Sequence, residues 1–155
     1  MELDLKEENS VSDYQSDMLF HGLVKKLGKN VHTYHNLWWH HKSKKEQDPA
    51  RFSKIWGNGF TMYGLLDEEE YTHNPEGETN SYDAIIIPIH HTMNKQDQHL
   101  TDAINFFLDK GYEKKQIIVV DGWDQEYINQ DIANLCTYYK REMKDHHEEY
   151  AQPIS

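Results

Sequence analysis

The chain has 155 residues, 37% of them hydrophobic and 12% aromatic, which suits one packed domain burying about two-thirds of its unfolded surface and excludes a disordered chain. Its 16 Lys and Arg against 27 Asp and Glu leave a formal net charge of −11, which excludes a basic face for nonspecific binding of nucleic acid or anionic membrane. The single cysteine, Cys136, excludes an intramolecular disulfide and a thiolate zinc cluster, and its apolar and aromatic neighbours predict a buried, inert thiol. No apolar run approaches the roughly 18 residues of a membrane span, and the acidic start lacks the basic and apolar regions of a signal peptide. The expectation is a cytoplasmic protein with one domain over residues 1–155, an acidic flexible lead over about 1–10 and a polar tail over about 144–155.

In chain order, "MELDL" alternates like an edge strand. "DYQSDMLFHGLVKKLG", residues 13–28, predicts a helix with Leu19, Phe20, Leu23, Val24 and Leu27 as its apolar stripe. Asp13 or Ser16 can cap its start, and Gly28 suits the left-handed position just past its end. "NVHTYH" offers a short strand. Residues 37–64 form a long excursion with a short helix near 49–55 and a glycine-rich turn at "WGNGF", and residues 67–81 read as an acidic, turn-rich surface loop.

"YDAIIIPI" is the clearest strand, and its unbroken aliphatic run predicts burial on both faces. Pro88 has no N–H for a ladder, so pairing is expected to loosen near the strand's end. A helical stripe of Leu100, Ala103, Ile104, Phe107 and Leu108 follows, with Gly111 closing it, and then a second aliphatic strand, "QIIVV". Two such strands joined by a helix make a parallel βαβ unit. The expected fold is α/β: a three-layer, Rossmann-like domain with a mostly parallel sheet. The region around Ile128 to Met143 suits either one long helix or a helix followed by a short strand at "CTYYK"; the closing residues look like a departure from the core.

Ligands of open parallel sheets bind outside the carboxyl ends of the strands, where this sequence places His90 and His91 after one strand and Asp121 and Asp124 after the other. These four are the candidate catalytic residues. Adjacent histidines on an extended chain point opposite ways, so His90 and His91 do not both chelate one ion without a turn. No metal or cofactor is expected. A second cluster, "HTYHNLWWHH", places Trp38 and Trp39 beside Arg51, Lys42, Lys44 and Lys45; it reads either as a structural aromatic cluster or as a platform that stacks a sugar or base. Its histidines lack the spacing of a zinc protease, "GNG" at Gly57 to Gly59 falls short of a phosphate loop, and His146 and His147 read as solvated.

Taken in order, "DYQSDMLFHGLVKKLGKNV", "WGNGFTMYGLL", "YDAIIIPI", "KKQIIVVDGWD", "YYKREM" and "QPIS" resemble the N-terminal half of a family of poorly characterised GT-B-type glycosyltransferase-like proteins. The resemblance covers most of residues 13–155. It implies a Rossmann-like half-domain and favours the short strand at 136–140. It carries over Asp13, His21, Gly22, Gly57, Gly59, Asp121, Gly122, Asp124, Lys140, Arg141 and Glu142, with no assigned catalytic role. Asp13, Gly57, Gly59, Lys140 and Arg141 thereby join Trp38 and Trp39 as candidate ligand-binding residues.

In a GT-B enzyme the nucleotide sits chiefly on the C-terminal domain, which this chain does not include. The resemblance therefore implies an acceptor-side domain, or a stand-alone relative, that does not transfer sugar alone. Its partners would be a saccharide or nucleotide sugar, with a C-terminal domain or a second copy alongside, and no nucleic acid. The alternatives are a non-catalytic Rossmann-like module that binds a nucleotide, a phosphate or a protein partner, and a metal-dependent hydrolase using His90, His91, Asp121 and Asp124.

Overall fold

The computed structural model describes residues 14–52, 63–74, 82–89, 97–124, 126–143 and 149–154. It falls into two units, Met1–Glu78 and Thr79–Ser155. The expected strand "MELDL", the turn at "WGNGF", Asp13, Gly57, Gly59, His90, His91, His146 and His147 lie outside the described residues.

In the first unit, helix α1 (Tyr14–Leu27) ends where expected, because Gly28 takes φ 56, a left-handed conformation that side-chain-bearing residues resist. Its buried face is not the apolar stripe itself. Val24 and Phe20 pack with Val31, Leu66 and Tyr71, but Leu27 is exposed, and the stripe runs back through Asp17, three residues before Phe20. Strand β1 (His32–Thr33) pairs in parallel with β2 (Thr72–His73), a strand that falls inside the stretch expected to be a surface loop. Two residues are too few to show a period, so composition alone could not mark β2.

The described part of the excursion after β1 carries more helix than its sequence predicts. A 3-10 turn, Trp38–His40, leads into α2 (Lys42–Gln47), and α3 (Pro49–Phe52) matches the expected short helix. Residues 39–42 are laced to the 63–66 segment by three backbone bonds: Gly64 N–H to Trp39 carbonyl (2.9 Å), Leu66 N–H to His40 carbonyl (2.9 Å) and Lys42 N–H to Leu66 carbonyl (2.9 Å). Asp67 and Glu70 then form a reciprocal capping box on the turn Glu68–Glu70.

Among its described residues the second unit forms a four-stranded, all-parallel sheet in the order β3 (Ile85–Ile89), β4 (Ile117–Asp121), β5 (Thr137–Lys140), β6 (Gln152–Pro153). Parallel neighbours need crossovers, and α4 (Asp97–Asp109) and α5 (Gln130–Ala133) lie in the first two. The α/β class expected from the sequence is what forms. Ile104 of α4, Ile132 of α5, Ile117 and Val119 of β4 and Tyr138 of β5 make one core, and each fully buried aliphatic side chain contributes about 1.5–3 kcal/mol.

Three expectations change here. Strand β3 is not buried on both faces: Ile89 is buried, but Ile86 is 36% exposed and Pro88 is exposed. Among the described strands β3 lies at the sheet edge, where one face goes short of cover. Pairing does not loosen after Pro88 either, since Ile89 still pairs with Asp121 and its carbonyl accepts from Gly122 N–H (3.1 Å). In a parallel strand the N–H and C=O of one residue face the same neighbour and those of the next face away, so Pro88 lacks only a donor that would point to the open edge. Finally, the closing residues do not depart from the core but return to the sheet as β6, with Ala151 buried, whereas "TYYK" forms the short strand that the resemblance favours.

Candidate functional site

In the second unit, the carboxyl ends of β4 and β5 bring four of the candidates together: Asp121, Asp124, Lys140 and Arg141. Asp121 and Lys140 are register partners, and inward-facing residues alternate along both strands, so both side chains continue the face that carries Val119 and Tyr138. Both are buried, Asp121 to 2% exposure and Lys140 to 0%. The Lys140 ammonium lies 3.1 Å from Asp121 Oδ2 and donates to the Trp123 carbonyl (2.8 Å). The same Oδ2 accepts from the Tyr138 hydroxyl (2.6 Å), and Oδ1 accepts from the Trp123 backbone N–H (2.9 Å).

This is a local turn locked from inside. An aspartate that hydrogen-bonds the backbone two residues on makes an Asx-type turn. Lys140 then fastens the turn's last carbonyl and the carboxylate at once. A carboxylate holding three donors at 2% exposure is positioned to organise the strand end rather than to meet a substrate. On the outer side, exposed Asp124 pairs with the Arg141 guanidinium, and Arg141 Nε lies 3.6 Å from Glu142. Asp121 and Asp124 are thus already paired with cations, from Lys140 at the end of β5 and from Arg141 just after it. Among the described residues, no group of three His, Cys, Asp or Glu side chains is arranged to hold a metal ion.

Trp38 and Trp39 belong to the first unit and part ways there. Trp39 is 3% exposed, and its indole N–H donates to Asp17 Oδ1 (2.9 Å), so its ring is core. Trp38 is half-buried with the Arg51 guanidinium carbon 3.8 Å from its ring centroid, a cation–π stack on one face. Of the neighbouring lysines, Lys42 pairs with Asp67 (2.8 Å) and Lys45 reaches the Tyr63 carbonyl (3.3 Å).

The first unit also holds a polar cluster that the motif reading missed. His40, fully buried, places Nε2 3.0 Å from Asp17 Oδ1, beside the Trp39 bond to the same oxygen; Asp17 Oδ2 is buried with no hydrogen-bond partner among the described residues. Phe20 packs edge-on against His40 (4.8 Å) and Tyr71 (5.0 Å). His41 Nε2 lies 2.6 Å from the Tyr71 hydroxyl. Burial lowers His41 below the ordinary histidine range, the Glu68 carboxylate opposes this, and His40, Lys44 and His73 add to it. Burial likewise pushes the Tyr71 phenol up to about 12. The available signal was Asp17 sitting at helical spacing from Phe20 and Val24, on the face a helix buries.

Cys136 is partly buried, with its thiol donating to the Ile132 carbonyl (3.3 Å), and burial pushes it up to about 11. No helix among the described residues is long and apolar enough to cross a membrane. The chain matches no protein-family model, no curated protein and no solved structure.

Proposed function

We propose that this chain is the acceptor-side part of a GT-B-type glycosyltransferase-like protein, or a stand-alone relative of one, that binds a saccharide or nucleotide sugar. The observation that carries this reading is the all-parallel sheet of residues 79–155 with its polar residues gathered at one edge: Asp121, Trp123, Asp124, Arg141 and Glu142 follow the carboxyl ends of β4 and β5. Open parallel sheets bind ligands at that edge. The order of the sequence motifs adds the resemblance to glycosyltransferases.

Internal neutralisation of Asp121 and Asp124 supports binding over catalysis at this edge, and equally supports the second reading, a Rossmann-like module for a nucleotide, phosphate or protein partner. Amide chemical-shift mapping on the full chain separates the two. Millimolar nucleotide sugars, free nucleotides, inorganic phosphate and neutral oligosaccharides would be titrated in turn. Shifts at Gly122 to Asp124 and Arg141 with a saccharide or nucleotide sugar support the acceptor-side reading. Shifts with phosphate or plain nucleotide alone support the module. No shift with any of them would refute ligand binding at this edge.

A further inference from the structure

His41 ties together the two segments that carry the buried cluster of the first unit. Its backbone makes a parallel bridge with Leu66, and its ring reaches on to Tyr71, with ring centroids 5.6 Å apart. Tyr71 in turn closes the core formed with Val24 and Leu66. His41 is 7% exposed; its Nδ1 is buried with no hydrogen-bond partner among the described residues and lies 3.8 Å from Oε1 of the exposed Glu68. One imidazole therefore stands between a surface carboxylate and a buried phenol.

We propose that the Glu68–His41–Tyr71 array is a pH-operated latch, in which uptake of one proton by His41 releases the 63–73 segment from residues 38–42. In the tautomer that the latch requires, the neutral ring accepts the Tyr71 O–H at Nε2 and turns its Nδ1–H toward Glu68. A proton added to the ring turns Nε2 into a donor at 2.6 Å from the phenol oxygen. The phenol then has to turn its own hydrogen away and find another acceptor inside the core, while the new positive charge sits almost without water. Tyr71 does not relieve this by ionising, since its phenol stays protonated throughout the range concerned.

The groups facing His41 are Glu68 from the capped turn, which favours the charge, and His40 beside it, Lys44 of α2 and His73 of β2, which oppose it. Burial outweighs Glu68. Neighbouring imidazoles lean the same way: His21, facing Lys25, His40 and Glu70, and His35, facing His73, are both lowered, with burial the largest cause. The sign follows from linkage. A histidine lowered in the fold leaves the opened state binding more protons, so stability is intact above about pH 6.5 and falls as the pH drops below it.

Native-state hydrogen exchange on the full chain tests the latch. The amides of Lys42, Gly64 and Leu66 make the bonds that would open. After correction for intrinsic exchange, their opening constants are expected to rise up to about tenfold per pH unit below 6.5 for each proton taken up. Those of Val119 and Tyr139 are expected to stay level. His41→Gln, whose amide oxygen can still accept the Tyr71 O–H, should flatten the response. A level profile in the native chain, an unchanged slope in the variant, or an equal rise at Val119 and Tyr139 would overturn the proposal. If the variant does not fold, the His41 ring titration in the native chain decides: a midpoint at or above 6.5 overturns the latch, and one clearly below supports it.

Discussion

Replacing Lys140 by methionine keeps the side chain's length and removes its charge. Asp121 is then left 2% exposed, holding only the Tyr138 hydroxyl and the Trp123 N–H, and the Trp123 carbonyl loses its donor. Removing one partner of a buried pair costs about 3–5 kcal/mol, because the other charge is stranded. The apolar thioether recovers part of this, so a net loss of about 3 kcal/mol is expected, on the order of a 150-fold fall in the folding constant. The double variant, Lys140→Met with Asp121→Asn, has no stranded charge and should regain about half of the loss. Of the 4 tryptophans only Trp123 lies in residues 79–155, so urea unfolding followed by fluorine NMR of 5-fluorotryptophan-labelled protein reads this unit directly. A single variant within 1 kcal/mol of the native chain, or a double variant as unstable as the summed singles, would refute the stranded-charge account.

Asp17→Ala removes the acceptor of both the Trp39 indole and the buried His40 ring, and should cost the first unit about 3 kcal/mol, read as faster amide exchange at Gly64 and Leu66. Gly64→Ala should cost more than Gly111→Ala: both have positive φ (65 and 92), but a Cβ on Gly64 would clash with Lys45 Cδ and lie 2.8 Å from its Cβ, and one on Gly111 meets nothing among the described residues within 4 Å. The backbone strain alone is about 1–2 kcal/mol at each, so a Gly64 variant no worse than the Gly111 variant by urea unfolding would dismiss the close approach. The Cys136 thiol, up from 9.0 to about 11, should react with a disulfide reagent at pH 8 about a hundredfold more slowly than in urea, since the thiolate fraction falls by that factor. A folded-state rate equal to the unfolded one would contradict its burial.

Much of the second unit was legible. Unbroken aliphatic runs on either side of an amphipathic helix leave few arrangements other than a parallel βαβ unit, and those elements fall where expected. The two-residue strands β2 and β6 were not legible, because a period cannot be read from two residues and their pairing energy comes from neighbours distant in sequence. Asp17 was equally hidden. A lone aspartate in a helix reads as a solvated residue, and here it is the anchor of a tryptophan and a histidine more than twenty residues away.

Composition and hydrophobic pattern by themselves determined the α/β class, the absence of a bulk basic face and the inertness expected of Cys136, since each depends on local period, summed charge or immediate neighbours. Only the tertiary structure decided which polar groups are engaged. Asp121 meets Lys140 because the register of β4 against β5 sets them opposite each other, and His41 meets Tyr71 because its segment bridges Leu66. Register and bridging are properties of paired chains, and a single strand of sequence carries no direct record of its partner.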